Sequence, residues 1–197
     1  GSTGITILGV MGEAPKLNFD EQKKLVKRYV KNLRDKIPII IGVSNPGLDN
    51  LRNIAIEGMQ MGANGVMVAG INGLKNDEQI ENYFEQVVQY LDSIPICLQD
   101  YPPTTNVYFS VSTIEKIFSK YPQFEMFKHE DCPGHKKLTQ LINSRENLGR
   151  KKYSILVGNG GLYVPQELYR GADGIMTGFA FTSMLVEVFD LFKKGLK

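Results

Sequence analysis

Lys128 and Glu130 are the residues of this chain whose spacing most directly suggests chemistry. Lys128 ends a short apolar run at positions 124–128, and Glu130 follows two residues later. Side chains alternate along a strand, so these two are predicted to share one face, with His129 on the other. A lysine in an apolar site loses pKa through desolvation, and its amine can then attack carbonyl carbons. The stretch predicts either an amine nucleophile beside a carboxylate or a surface ion pair at a strand end.

Seven short apolar segments, most of them joined by amphipathic helical patterns, position this pair. Continuous apolar strands that alternate with helices are typical of a parallel sheet covered on both faces. Asn18 and Glu21 form a capping-box pattern at the start of the first helix, whose predicted apolar face carries Leu25, Val26, Tyr29, Val30 and Leu33. The predicted strands lie near 4–8, 37–42, 65–69, 94–99, 124–128, 153–157 and 173–178, and the predicted helices span 18–35, 76–92, 111–120, 135–148, 164–170 and 182–194.

Two architectures fit seven such units, an open doubly wound sheet and a barrel. The open sheet needs a glycine-rich turn after its first strand, and Gly9–Gly12 is a poor version of it. An α/β TIM (β/α)8 barrel normally has on the order of 250 residues. We therefore expect residues 1–197 to form one partial TIM-barrel domain, a fragment that lacks the first βα unit and the C-terminal helices.

Composition narrows the classes of partner and the compartment. The chain has 197 residues, 42% of them hydrophobic, and a net charge of +2, which gives no reason to expect nucleic acid. Since no apolar run approaches the roughly 20 residues of a membrane span, no membrane is expected either. Two cysteines, Cys97 and Cys132, do not form a disulfide framework, which favours a reducing compartment such as the cytoplasm.

Barrels carry their active sites at the carboxyl ends of the strands, which directs attention to the residues there. Gln99 and Tyr101 are predicted to share a face on the fourth strand, next to Lys128 and Glu130 on the fifth. These four are the candidate catalytic residues. No metal site is expected, because His129 and His135 lack a third ligand at a suitable spacing. The methionines at 11, 59, 61, 67 and 176 are interpreted as core packing.

Three segments together resemble the dihydrodipicolinate synthase/N-acetylneuraminate lyase family. Leu8–Glu21 is similar to the family segment G-T/S-T-G-E followed by a helix start L-x-x-x-E, and Leu98–Asn106 to its Y-N-x-P-x-x-T-G segment. Phe127-Lys128 is similar to the strand that carries its Schiff-base lysine. The resemblance implies a cofactor-free, class I aldolase-type lyase on a TIM barrel, acting on a small 2-keto acid by aldol cleavage, condensation or dehydration. It also implies a homo-oligomer, commonly a homotetramer.

The departures from the family pattern shift the expected substrate. The two family hydroxyl residues that bind the keto-acid carboxylate fall on Val10 and Met11, whose backbone N–H groups can still bind it. The family tyrosine falls on Gln99, with Tyr101 as its candidate substitute, and the synthase arginine falls near Thr104. These departures argue against a synthase. The combination of Gln-Asp-x-Pro at 99–102, Phe-Lys-x-Glu at 127–130 and Pro-Gly at 133–134 is more similar to the sugar-acid dehydratase branch, and Glu130 is the candidate acid/base.

The glycine-rich loops near the end of the chain leave other functions open. Loops after the last strands of a barrel often bind phosphate, so Gly158–Gly161 also fits a phosphate- or flavin-binding enzyme. The resemblance instead assigns these loops to the wall of the keto-acid pocket, with Asn159 and Met176 as substrate-binding candidates. A third hypothesis is that the chain is a paralogue that binds a pyruvate-type or 2-keto-3-deoxy sugar acid without turning it over.

Overall fold

The computed structural model describes residues 1–146 and 153–196. Within these residues, strands β1 to β7 are Ile5–Ile7, Ile39–Gly42, Gly65–Ala69, Ile96–Asp100, Phe124–His129, Ser154–Val157 and Gly174–Ile175. Helices α1 to α8 are Phe19–Leu33, Leu48–Met61, Asp77–Leu91, Pro102–Thr105, Val111–Lys120, His135–Arg145, Val164–Tyr169 and Thr182–Lys193. Among the helices so described, none is both long enough and apolar enough to cross a lipid bilayer.

The strands form one parallel sheet whose spatial order follows the sequence from β1 to β7. A doubly wound sheet reverses its strand order at a switch point, and no reversal occurs among these strands. At the carboxyl ends, the loops after β1 and β7 meet, because a Cβ added to Gly178 would lie 2.6 Å from Cγ of Met11. The prediction of an α/β fold of the TIM-barrel type is confirmed.

Capping residues mark where several helices begin or end. The predicted capping box is confirmed at α1, where the Glu21 N–H donates to Asn18 Oδ1 (3.0 Å) and the Asn18 N–H donates to Glu21 Oε2 (2.9 Å). The side chains of Asn76 and Ser110 accept in the same way at the starts of α3 and α5. Gly62 ends α2 with a φ of 113°, a left-handed conformation that glycine adopts without strain.

The hydrophobic core lies between the sheet and the helices that pack on it. Every residue of β3 and of β4 is buried, as expected for strands covered on both faces. Aromatic rings join α3 and α5 to β5, where Phe84 and Phe118 both contact Phe124, and Phe118 also contacts Phe127. These contacts place Phe127 on the helix side of β5.

The structure differs from the sequence prediction in several details. Tyr29 is 37% exposed, because Val26 and Val30 point α1 at the sheet and leave Tyr29 on the flank of the helix. Met11 is 77% exposed and is not a core residue, since it lies in the turn after β1. The last strand is shorter than predicted, and the short helix α4 was missed. The predicted helix 135–148 ends at Arg145, and its positions 147 and 148 lie outside the described residues.

Candidate active site

A shift in strand register brings the candidate side chains together. The pairing of β4 with β5 slips by one residue near its start and leaves Glu125 outside the ladder as a bulge. Beyond the bulge, Gln99 pairs with Lys128 and Asp100 pairs with His129. Residues paired across parallel strands point to the same side of the sheet, so Gln99 and Lys128 share one face. The face away from the helices therefore receives one amide and one amine at adjacent positions.

Glu130 completes this group just beyond the end of β5. Its Oε2 lies 3.1 Å from Nζ of Lys128 and accepts a hydrogen bond of 2.6 Å from Nε2 of Gln99. The side chains of Lys128 and Glu130 are only 12% and 8% exposed, and Gln99 is buried. The predicted common face of Lys128 and Glu130 is thus confirmed. The ion pair is shielded from water, which contradicts the reading of Lys128 as a surface lysine.

The glycine-rich loop after β6 packs directly on Glu130. The backbone N–H of Asn159 donates to Oε1 of Glu130 at 3.1 Å. A Cβ added to Gly158 would lie 2.4 Å from the same oxygen and 2.6 Å from Cδ, so only glycine fits beside the carboxylate. One N–H group of this loop therefore donates to a carboxylate and is not free to bind a phosphate. Sequence reasoning missed Gly158 as a site residue, although a glycine directly after a strand signals close backbone approach.

Cys97 is a second residue that the sequence reasoning did not place near the site. It lies on β4 two residues before Gln99 and is buried. Burial raises the pKa of the Cys97 thiol to about 12, against the opposing effect of the Lys128 charge. The thiol therefore stays protonated at neutral pH and does not compete with Lys128 as a nucleophile.

Tyr101 lies one residue beyond the end of β4 and outside the contacts of the group. It is half-buried, and its backbone carbonyl accepts hydrogen bonds from the N–H groups of Thr104 and Thr105, both at 3.1 Å. Its hydroxyl has no hydrogen-bond partner among the residues that the structure describes. The role predicted for Tyr101 stays a prediction.

The remaining predicted residues make no contact with the group in the described part of the chain. Val10 and Met11 form the exposed turn after β1, and no contact joins them to Lys128 or Glu130 in the described part of the chain. The N–H of Met176 donates to the carbonyl of Val157 at 2.8 Å, which ties the end of β7 to β6. The structure thus brings together Gln99, Lys128, Glu130 and the backbone of Asn159. In residues 1–146 and 153–196, no group of three or more His, Cys, Asp or Glu side chains is placed to hold a metal ion.

The chain is similar in sequence and in fold to known proteins. The model of the "Dihydrodipicolinate synthetase family" matches residues 1–193. The curated 4-hydroxy-tetrahydrodipicolinate synthase of Aquifex aeolicus (strain VF5) is 27% identical over 198 residues, which cover 100% of this chain and 65% of that protein.

Solved structures give the same result. A crystal structure of dihydrodipicolinate synthase from Rhodopseudomonas palustris superposes with a TM-score of 0.95 and is 42% identical, over 99% of this chain and 65% of that one. YagE, a prophage protein of the dihydrodipicolinic acid synthase family from E. coli K12 solved in complex with pyruvate, has a TM-score of 0.85 at 19% identity, which shows the fold alone. That match covers 99% of this chain and 65% of YagE. The chain spans less than two thirds of the length of these proteins.

Proposed function

The chain belongs to the dihydrodipicolinate synthetase family, and on that premise we propose that it acts as a lyase on 2-keto acids through a Schiff base on Lys128. The observation that supports this most directly is a shielded amine held 3.1 Å from a carboxylate at the carboxyl end of β5. Barrels of this class hold their catalytic groups at that end. The proposed substrates are pyruvate-type acids and 2-keto-3-deoxy sugar acids.

The proposed first step joins the substrate to Lys128. Glu130 takes a proton from the Lys128 ammonium, and the free amine adds its lone pair to the C2 keto carbon. The nitrogen of this adduct, now positively charged, gives one of its two protons to the former keto oxygen, which becomes the hydroxyl of a neutral carbinolamine. Glu130 then returns the proton to this hydroxyl, which leaves as water, and the C2–N iminium remains. One water is lost and Glu130 ends as it began, as a carboxylate. The 3.1 Å contact supports direct transfer between the two side chains.

The proposed second step uses the iminium as an electron sink. It acidifies the proton on C3, which Glu130 removes to form an enamine. In a 3-deoxy sugar acid the enamine then expels the C4 hydroxyl, which takes the proton back from Glu130 and leaves as water. Aldol cleavage starts from the iminium instead, when Glu130 removes the proton of the C4 hydroxyl. The electron pair of the C3–C4 bond then passes to the iminium, which gives the enamine and releases C4 as an aldehyde. The short hydrogen bond from Gln99 orients the Glu130 carboxylate for either reaction. The position of Gln99, where the family resemblance implies a tyrosine, favours the dehydratase branch over the synthases.

Five further residues have proposed roles around this centre. The first N–H groups of a helical turn lack acceptors within the turn, so those of Val10 and Met11 are proposed to bind the keto-acid carboxylate. Tyr101 is proposed to supply a hydroxyl for proton relay. Asn159 and Met176 are proposed to form the wall of the pocket.

Borohydride trapping tests the proposed nucleophile. The full-length protein is incubated with pyruvate and sodium borohydride, and the modified residue is located by mass spectrometry. We expect an adduct on Lys128 that is lost in Lys128→Met and is retained in Lys116→Met, which alters an exposed lysine on α5. No adduct with pyruvate or with a panel of 2-keto-3-deoxy sugar acids would rule the Schiff base out.

A second candidate function is keto-acid binding without turnover. It is favoured by the apolar side chains of Val10 and Met11 where the resemblance implies hydroxyl groups. Under this alternative, pyruvate forms the Lys128 adduct, but no member of the sugar-acid panel is consumed. Turnover of any panel member separates the lyase from the binder.

Assembly and compartment are also proposals. We propose that residues 1–197 act as one domain within a homo-oligomer, a tetramer by family resemblance, and that the protein works in the cytoplasm. The unpaired thiols of Cys97 and Cys132 support a reducing compartment. Light scattering coupled to size-exclusion chromatography of the full-length protein gives the oligomeric state directly.

A further inference from the structure

A second charged cluster lies behind the candidate active site, on the side of β4 and β5 that faces α6. Its members are Asp100 at the end of β4, Asp131 after the end of β5, and Lys137 on α6. Asp100 is completely buried, and Lys137 and Asp131 are largely buried. The cluster is separate from the group around Lys128, because side-chain alternation along β4 directs Asp100 to the side opposite Gln99, where Lys137 contacts both Asp100 and Asp131.

One ammonium group connects the ends of the two strands. Nζ of Lys137 lies 3.0 Å from Oδ2 of Asp100 and 2.6 Å from Oδ2 of Asp131. Asp100 directly follows Gln99 in the chain, and Asp131 directly follows Glu130. The N–H of Glu130 also donates to the carbonyl of Asp100 at 2.9 Å. Lys137 therefore ties together the two backbone segments that carry Gln99 and Glu130.

Asp100 depends on this contact. Lys137 is the only hydrogen-bond donor to its carboxylate in the part of the chain that the structure describes, and Oδ1 has none there. Burial raises the pKa of Asp100 to about 6, and the Lys137 charge opposes that rise. Burial also acts to lower the pKa of Lys137, but the two carboxylates outweigh it and hold that pKa above its ordinary value. Without Lys137, a buried carboxylate would have to take up a proton or move towards water.

His129 does not substitute for Lys137 in this cluster. Its ring is fully buried beneath the turn that follows β5, where a Cβ added to Gly134 would lie 2.5 Å from Nε2. Burial, together with the nearby Lys137 charge, lowers the pKa of His129 to about 4. The imidazole is therefore neutral at physiological pH and fills space rather than supplying a cation.

We propose that Lys137 is a positioning residue, which bridges Asp100 and Asp131 and thereby holds Gln99 and Glu130 in contact beside Lys128. This proposal rests on the proposed role of Lys128 as the amine nucleophile. Lys137 touches no reacting atom, since it lies on the far side of the sheet. Its effect on the reaction is transmitted through the adjacent backbone of β4 and β5.

The test measures the rate of Schiff-base formation with pyruvate in the full-length protein, by borohydride trapping over a range of pyruvate concentrations. In Lys137→Met the maximal rate is expected to fall about 10- to 100-fold, because small misplacements of catalytic groups have effects of that size. The half-saturating pyruvate concentration is expected to change little. Lys137→Arg, which keeps the charge, is expected to recover most of the rate. The matched control is Lys136→Met, which removes the neighbouring exposed lysine of the same helix.

Further variants separate positioning from folding. If Lys137→Met does not fold, the double variant Asp100→Asn/Lys137→Met removes the buried unpaired carboxylate and is expected to lose the rate to the same extent. Circular dichroism establishes that each variant is folded at the assay temperature. A folded variant without Lys137 that traps pyruvate at the wild-type maximal rate overturns the proposal.

A crystal structure of a folded variant without Lys137 distinguishes this proposal from the proposed function. We expect the contact between Gln99 Nε2 and Glu130 Oε2, 2.6 Å in the wild type, to be broken. If that contact persists, the positioning role is wrong, whether or not wild-type protein forms a Schiff base. If wild-type protein traps no keto acid but the contact is broken in the variant, the proposed function fails and the positioning role stands.

Discussion

At the scale of single residues, Glu130 links three separate segments of the chain. Its two carboxylate oxygens contact the side chain of Lys128 on β5, the side chain of Gln99 on β4 and the backbone of Asn159 after β6. A carboxylate with all three contacts has few orientations open to it, so its position relative to the amine is defined before substrate arrives. Replacement of Glu130 therefore tests the proton transfers of the proposed reaction directly.

Glu130→Gln is expected to slow proton removal at C3 more than it slows attachment of the substrate. It preserves the shape of the side chain but removes the base, an effect of about 100- to 10,000-fold in typical enzymes. Exchange of the pyruvate C3 hydrogens for deuterium, followed by NMR, measures this step without knowledge of the natural substrate. Glu85→Gln, at an exposed ion pair on α3, serves as the control. Exchange at the wild-type rate in Glu130→Gln would assign the base to another residue.

Gly158→Ala is expected to reduce both stability and Schiff-base formation. Its Cβ would overlap three atoms of Glu130, and relief of such overpacking costs about 1–3 kcal/mol in the free energy of unfolding. Urea denaturation and pyruvate trapping measure the two effects. The control is Gly4→Ala, where the nearest atom to a new Cβ is the Pro38 carbonyl oxygen at 3.5 Å, an ordinary contact. Equal behaviour of the two variants would contradict the close packing of Gly158 on Glu130.

At the scale of elements, α7 carries a buried acid, Glu167, that the proposed reaction does not use. Its Oε2 has no hydrogen-bond partner among the described residues, and the side chain is buried. Burial raises the pKa of Glu167 to about 7, although Arg170 lowers it somewhat. In the folded state the proton is held more tightly than in the unfolded chain. The stability that this provides is complete below about pH 4.5 and is lost as the pH rises through about 7.

Glu167→Gln should remove this pH dependence, because glutamine does not ionise. The free energy of unfolding of the variant, measured relative to wild type by urea denaturation, is expected to rise between pH 4.5 and pH 8. The rise is at most about 3 kcal/mol, from 1.36 kcal/mol for each unit of pKa change. His129, whose lowered pKa acts in the opposite sense, is unchanged in both proteins and cancels in the difference. A difference that does not depend on pH would show that Glu167 ionises normally.

The bulge at Glu125 is the second feature that belongs to the scale of elements. If β4 and β5 paired without it, Gln99 would face Phe127, whose ring packs on Phe118 of α5. A slip of one residue moves side chains to the opposite face of a sheet, so Gln99 and Lys128 would then lie on different sides. The contact between Gln99 and Glu130 therefore depends on one unpaired, exposed residue.

At the scale of the whole molecule, the packing of the helix layer on the sheet supports the site from behind. Phe118 lies at the centre of this layer, with its ring centroid 3.9 Å from that of Tyr153 and 5.6 Å from that of Phe124. Phe118→Ala is expected to lower the free energy of unfolding by about 3–5 kcal/mol in urea denaturation. Tyr108→Ala, which truncates an exposed aromatic ring, is expected to change it by less than about 0.5 kcal/mol. Similar losses in both variants would contradict the placement of the core.

Much of the fold was predictable because the signals for it are local. The apolar run of β3, the capping box at Asn18 and Glu21, and the alternation that places Lys128 with Glu130 each involve residues within a few positions of one another. Features of this kind are determined by the backbone geometry of residues close together in the chain. The sequence alone therefore predicted the α/β barrel architecture and the pairing of Lys128 with Glu130. The burial of Tyr29 was predicted wrongly, because it depends on which segments of the chain pack beside α1.

The sequence named Gln99 and Asn159 as candidates, but only the tertiary structure decided that both contact Glu130. The partners of Glu130 are Gln99 and Asn159, which lie 31 and 29 positions away in the chain and meet it through strand pairing and the loop after β6. Strand register, close backbone approach at Gly158 and the bridge from Lys137 to Asp100 and Asp131 all depend on packing between segments that share no local pattern. The sequence by itself thus determined that an amine and a carboxylate lie side by side, and the folded chain determined what surrounds and holds them.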